Sequence, residues 1–143
     1  MIDPLDELLG YQLRRASAVM MADLTRTLGS LELRATEASV VLAISTNPGA
    51  TQSEIGRLLG IQRANMAPIV AMLMARDLID RSASDGRSHQ LSLSHEGAGL
   101  ASQVADAIAR HEARFLPDLG MRERGLLLEQ LRAVRARDHV DRK

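Results

Sequence analysis

"TQSEIGRLLGIQRANMAPIVAMLMARDLI", residues 51–79, reads as two helices with almost no chain between them. Thr51 and Glu54 have the spacing of a capping box, in which the hydroxyl satisfies an amide one turn on and the carboxylate reaches back. The first helix is therefore predicted to begin near Gln52, with Gly60 ending it. Ile55, Leu58 and Leu59 supply its apolar side, and Ile69, Val70 and Leu73 do the same for the second helix. The early residues Gln62, Arg63, Ala64, Asn65 and Ala67 are left to point outward. A short and a longer helix joined by a sharp glycine turn form the helix-turn-helix pattern, whose second helix enters the major groove and reads base edges from its N-terminal end.

Those residues have suitable chemistry. Arg63 can donate two hydrogen bonds to guanine and Asn65 can pair with adenine, each good pair giving about 1–3 kcal/mol of discrimination. Thr51, Gln52 and Ser53, with the free amides of that helix start, suit a phosphate. The competing reading is a helical hairpin packed only for stability.

The adjoining stretch of chain weighs against a mere hairpin of helices. In "LIDRSASDGRSHQLSLS", residues 78–94, Leu91 and Leu93 alternate with Gln90 and Ser92, and Asp85-Gly86 is a strong turn signal. A two-stranded hairpin is expected over residues 79–94. It sets Arg81, Arg87 and His89 around a Ser-Asp-Gly tip, beside the second helix, where a neighbouring minor groove would lie. Asp85 can hold the Arg87 guanidinium in one pose. On its own the hairpin would read as an exposed turn with a solvated ion pair.

Further out the period returns to helix. From Leu5 to Leu28 the residues Leu9, Leu13, Ala16, Met20, Leu24 and Leu28 mark a long amphipathic helix that Gly29 can end. "ATEASVVLAIS", residues 35–45, is a second, with Ala38, Val41, Leu42 and Ser45 near one face and Asn47-Pro48-Gly49 closing it. After the hairpin Leu100, Val104, Ile108, His111 and Phe115 share a stripe that stops near Pro117. A last helix from about Asp118 carries Leu127, Leu131 and Val134 on one side. Three long apolar stripes are more than a chain of 143 residues covers alone, so pairing with a second copy is expected.

Composition narrows the alternatives. With 18 basic and 18 acidic side chains the formal charge is zero, so any nucleic acid must be met by a local patch. The absence of cysteine removes thiol redox chemistry, disulfides and thiolate metal sites, and fits a reducing cytoplasm. The acidic N-terminus lacks a signal peptide's charge pattern, and no apolar run approaches the roughly 20 residues that span a bilayer. The chain is read as soluble, cytoplasmic and without a membrane partner.

His89, His95, His111 and His139 match no compact ligand spacing, so no metal is expected. His111, on an apolar stripe, reads first as a hydrogen-bonded core or interface histidine and second as part of an effector pocket. Tyr11, Arg14 and Arg15 could line such a pocket and hold an anionic or phenolic effector; the plainer reading is a solvated face with one interface tyrosine. No nucleophile elbow, phosphate-cradling loop or carboxylate pair suggests an enzyme, and no cofactor is expected.

Over nearly its whole length the sequence resembles the MarR family of winged helix-turn-helix regulators. The resemblance is carried by "NPGATQSEIGRLLGI", "LMARDLIDR" and "SDGRSHQLSLSHEG", including Asp85 and Arg87 at the wing tip and Leu93, Ser94 and Gly97 after it. It implies a mostly α fold of about six helices and a two-stranded β-wing, a single domain over residues 1–143. Within it, about 1–34 and 95–143 would be dimerisation helices and about 35–94 the DNA-binding region. It implies a homodimer on a pseudo-palindromic operator of double-stranded DNA, more often a repressor, with a recognition helix over about Gln62 to Arg76 and Arg87 as the wing arginine. An effector pocket between the dimerisation and DNA-binding regions is frequent in the family.

Two positions depart from it. Pro68 stands where the family often has a recognition-helix arginine, and a proline inside a helix costs about 3 kcal/mol unless the helix bends, so a kink or loosened turn is expected around Ala64 to Pro68. Arg34 stands where a capping threonine is frequent, so the second helix is expected to begin less cleanly. The remaining alternative is a non-catalytic protein-interaction module, which would want an apolar centre rather than a patch of Arg63, Arg81 and Arg87.

Overall fold

The computed structural model describes residues 1, 3–83 and 89–137. It contains α1 (Leu9–Gly29), α2 (Ala35–Thr46), α3 (Gln52–Leu59), α4 (Arg63–Ala75), β1 (Ile79–Ala83), β2 (His89–Leu93), α5 (His95–Phe115) and α6 (Met121–Arg137). Asp85, Gly86, Arg87 and His139, singled out in the sequence, lie outside the described residues. Among the described residues no single helix is long and apolar enough to cross a membrane. The chain divides into two compact units, Met1–His111 and Glu112–Lys143.

The core of the first unit is aliphatic. Leu28, Val40, Val41, Ile44, Ile55, Met66, Leu73, Leu91 and Val104 are all almost wholly enclosed. α2 lies at its heart: Ala38, Val40, Val41, Ala43 and Ile44 are buried, so the helix is covered round most of its circumference. Ser45, expected on its inner face, is exposed and Ile44 takes that place.

The ends of α3, α4 and α1 follow one device. Ile61 N–H donates to Gly56 O (2.8 Å) and Gly60 N–H to Arg57 O (3.3 Å) around a left-handed Gly60, the bonding of a Schellman cap. α4 repeats it with Leu78 to Leu73 (3.0 Å) and Asp77 to Met74 (3.0 Å), and α1 with Leu33 to Leu28 (3.2 Å) and Glu32 to Gly29 (3.0 Å). Here the left-handed residues are Asp77 (φ 53°) and Glu32 (φ 55°). Gly29 thus closes the helical span of α1 but not its turn; the reversal falls three residues on. Arg76 Nη1 donates to Glu32 O at 2.8 Å, tying the end of α4 to that turn.

Two expectations concern helix starts and interiors. α4 remains helical through Pro68, without an interruption at Ala64 to Pro68. Pro68 lies early in the helix and is exposed, as is Ala64, whose carbonyl lacks its usual amide partner there and can be hydrated instead. At Arg34 half a capping box survives: Arg34 N–H donates to Glu37 Oε2 at 2.7 Å. A guanidinium has no acceptor with which to supply the other half.

β1 and β2 pair antiparallel with Ile79 opposite Leu93 and Ala83 opposite His89, the hairpin expected over residues 79–94. Its base is fastened to the helices, which the sequence did not suggest. Gly49 N–H donates to Leu91 O (2.9 Å) and Leu91 N–H to Ala50 O (3.0 Å), and Thr51 bridges to Gln90. In the second unit Arg124 Nη1 donates to Glu112 Oε2 at 2.9 Å and the Arg114 guanidinium lies 5.5 Å from the Phe115 ring centroid. No residue of α6 is buried within this chain, and Leu126, Leu127, Leu128 and Val134 stand exposed.

Candidate nucleic-acid interface

α3 and α4 meet at a bend of 118°, within the range of helix-turn-helix pairs. The inner surface of the pair differs from the expected one. Ile55 and Gly56 are the buried residues of α3, while Leu58 is 61% exposed. On α4 the buried residues are Met66, Val70 and Leu73. A methyl group at Gly56 would stand 3.1 Å from Met66 Cγ and 3.2 Å from Ile61 O. The close approach of the two helices therefore uses both the missing side chain of Gly56 and the flexible thioether of Met66.

With Met66 and Val70 turned inward, Gln62, Arg63, Ala64, Asn65 and Ala67 are all exposed on the opposite edge, as the sequence predicted. Two clefts flank that edge. One, of about 350 Å³, brings Gln52, Ser53 and Arg63 together with Arg57. Sequence reasoning passed over Arg57; its signal was its place one turn after Ser53 on a helix whose start had been assigned to phosphate. The other, of about 660 Å³, has Gln62, Asn65 and Pro68 on α4 facing Arg34 and Thr36 on α2.

Thr51 is committed elsewhere. Its amide (2.8 Å) and hydroxyl (2.8 Å) both donate to Glu54 Oε2, and its Oγ1 accepts from Glu54 N–H at 3.3 Å. The capping box is complete, so neither the amide nor the hydroxyl proton of Thr51 is left for the phosphate expected there. The bonds from the Thr51 amide, then its hydroxyl, hold the Glu54 carboxyl below its usual range. The box stabilises fully above the ordinary value of 4.5 and is lost as pH falls through the depressed folded-state value. A Glu54→Gln variant is accordingly expected to melt below the parent at neutral pH, with the gap closing in acid. A gap unchanged by pH would contradict this role.

In the wing, Arg81 and His89 are exposed, and Arg81, Leu91 and His89 share one face through the pairing register. That face is buried at Ile79 and Leu91 and exposes Arg81 and His89. The bridge from Gln90 to Thr51 sets this strand beside the start of α3, so the wing base, Gln52, Ser53 and Arg63 are linked through one short helix.

The proposed effector residues fall into two places. Arg14 and Arg15 lie 5.3 and 5.5 Å from the Tyr11 ring centroid. Tyr11 Oη donates to Asp3 Oδ2 at 3.1 Å, and Arg15 lies 3.7 Å from the same oxygen. His111 instead faces Asp23, its Nδ1 3.1 Å from Asp23 Oδ2, with both side chains about 95% buried and Arg26 on the other carboxylate oxygen at 2.8 Å. His111 is thus a hydrogen-bonded core histidine joining α5 to α1. Its partner Asp23 escaped the sequence reading because it is 88 residues away. Among the described residues no group of three or more histidine and acidic side chains gathers as a metal site.

Comparison with known proteins agrees with this geometry. The family model described as "MarR family" matches residues 23–88. A putative transcriptional regulatory protein for the hcr operon of Thauera aromatica is 26% identical over 133 residues, covering 91% of this chain and 80% of that protein. The transcriptional repressor CouR, solved on a 23-mer DNA duplex, is 35% identical with a TM-score of 0.83 over 94% of this chain and 96% of that one. CouR bound to p-coumaroyl-CoA aligns with 33% identity and a TM-score of 0.79, again over 94% and 96%.

Proposed function

The chain belongs to the MarR family of winged helix-turn-helix transcriptional regulators, and from that premise we propose that it acts as a homodimeric repressor on a pseudo-palindromic operator, released by a small effector. It is a DNA-binding regulator and not an enzyme. The observation that carries the proposal is the exposed edge from Gln62 to Asn65, set at 118° to α3 and flanked by clefts that hold Arg57 and Arg63 on one side and Arg34 on the other. An apolar centre, which a protein-interaction module would want, is absent from that edge. Arg63 and Asn65 read base edges, with Gln62, Ala64 and Ala67 in contact range. Arg81, Arg87 and His89 meet the neighbouring minor groove, with Asp85 positioning Arg87, and Gln52 and Ser53 take a phosphate.

Exposed apolar residues support the dimer. Leu9 (82%), Leu13 and Val19 on α1, and Leu126 to Leu128 on α6, are uncovered in the single chain, and helices so exposed call for a second copy. A cytoplasmic location accompanies a duplex DNA partner.

For the effector, CouR is described with p-coumaroyl-CoA bound. Two guanidinium groups beside a phenol at Tyr11, Arg14 and Arg15 suit an anionic aromatic compound. A ligand there would shift α1, and with it the spacing of the two recognition helices, whose half-sites must lie about one helical turn apart.

The test is to select binders from a random duplex pool and measure affinity for the enriched site against salt. An enriched palindrome with a steep salt slope is expected. Arg87→Ala should make the slope shallower by about one unit per copy with little change in preference. Arg63→Ala should relax one base position, losing about 1–3 kcal/mol of discrimination. Absence of enrichment with the dimer intact would overturn the proposal in favour of the protein-interaction module.

A further inference from the structure

We propose that Arg34, at the start of α2, is a phosphate-binding residue of the DNA interface, supplying from across the cleft the cation that α4 lacks at Pro68. This rests on the reading of α4 as the recognition helix. A helix seated in the major groove has a phosphate backbone on each side, since the groove is only about 12 Å wide. On one flank this chain offers Arg57 and Arg63 around a single cleft. On the other flank α4 offers Pro68, and no basic residue follows Arg63 until Arg76, whose guanidinium is held by Glu32. The opposite wall of that second cleft, about 660 Å³ in volume, carries Arg34 and Thr36, facing Gln62 and Asn65.

Arg34 is a poor residue for its local position. It precedes the first helical residue, where side-chain acceptors are favoured and a guanidinium has only donors. It also sets a positive charge at the positive end of the helix dipole. Glu37, which lines the same cleft, is turned back onto the Arg34 amide at 2.7 Å. The Arg34 side chain is exposed and makes no hydrogen bond or ion pair with another described residue. A residue that opposes its own helix while remaining free beside a DNA-reading edge is placed for a ligand rather than for the fold. The ligand chemistry is a backbone phosphate of the duplex flanking the bases read by Gln62 and Asn65.

The test uses the full chain and the duplex enriched from the random pool. Arg34→Thr removes the charge while supplying a better cap, so a folding defect cannot imitate the effect. Its salt slope is expected to fall by about two units per dimer, at about 0.9 per phosphate in each copy, with affinity at low salt down roughly threefold to tenfold per contact and base preference unchanged. Arg34→Lys should keep most of the slope. Adding Pro68→Arg to Arg34→Thr should restore it, because the charge re-enters the same cleft from the other wall. If Arg34→Thr keeps the parental slope while Arg87→Ala loses part of it, the assignment of Arg34 is overturned and the DNA-reading function stands. If the parent itself shows no salt-dependent binding, both fall.

Discussion

A Gly97→Ala variant is expected to lose about 3 kcal/mol or more of stability, because overpacking against rigid backbone sits at the costly end of such substitutions. At this chain length that lowers the thermal midpoint by about 10 °C. Gly97 is buried in the first turn of α5, and an added methyl group would fall on the Leu78 carbonyl oxygen, with Leu78 Cα 3.3 Å away. Backbone cannot rotate aside as a side chain can. Nor can α5 retreat without breaking its own start: Ser94 N–H donates to Leu78 O (3.1 Å), Ser94 Oγ to Asp77 O (2.6 Å), and Gly97 N–H to Ser94 Oγ (2.9 Å). The run Leu93, Ser94, Gly97 is therefore a physical joint: the serine binds the chain leaving α4, and the glycine lets α5 press against it. A melting curve within two or three degrees of the parent, read against about 10 °C, would show that the joint can yield.

The second large effect is expected at the buried pair of Asp23 and His111. Replacing His111 with leucine takes the ring nitrogen away from a carboxylate oxygen that is almost wholly enclosed, and removing one partner of such a pair costs about 3 kcal/mol or more. Asp23→Leu should be comparably harmful. The double variant should recover a large part of the loss, since two leucines replace a polar contact with an apolar one. Denaturant unfolding of the four proteins gives the coupling directly. Strictly additive losses would mean that the two side chains act separately despite their 3.1 Å approach.

The elements themselves were legible because their signals are local. Thr51, Glu54 and Gly60 fix both ends of α3 within ten residues of chain, and the alternation around Leu91 fixes a strand. Features that stayed hidden depend on contacts distant in sequence. An eight-residue helix has several plausible inner faces, and only the bend after it selects Gly56 over Leu58. The reversal after α1 was expected at Gly29, yet Glu32 takes the left-handed turn, as Asp77 does after α4, because the surrounding hydrogen bonds hold it. The engaged hydroxyl of Thr51 could be foreseen from its own capping box. Arg57 and Arg34 could not be placed until the clefts beside α4 had formed.

The hydrogen bonds that Leu91 exchanges with Gly49 and Ala50 have a further consequence for the operator. They join the base of the wing to the start of α3, and α3 is locked to α4 through Gly56 and Met66. In the proposed complex the wing base and α4 of each protomer are therefore held together as a caliper of fixed jaw width. A base pair inserted within a half-site would carry the two grooves out of phase by about 3.4 Å of rise and a tenth of a turn, and among the described residues the joined wing base, α3 and α4 offer no hinge with which to follow. An insertion between the half-sites falls instead on the joint between two copies. Operators for this protein should thus vary in the spacer before they vary in the length of the half-site.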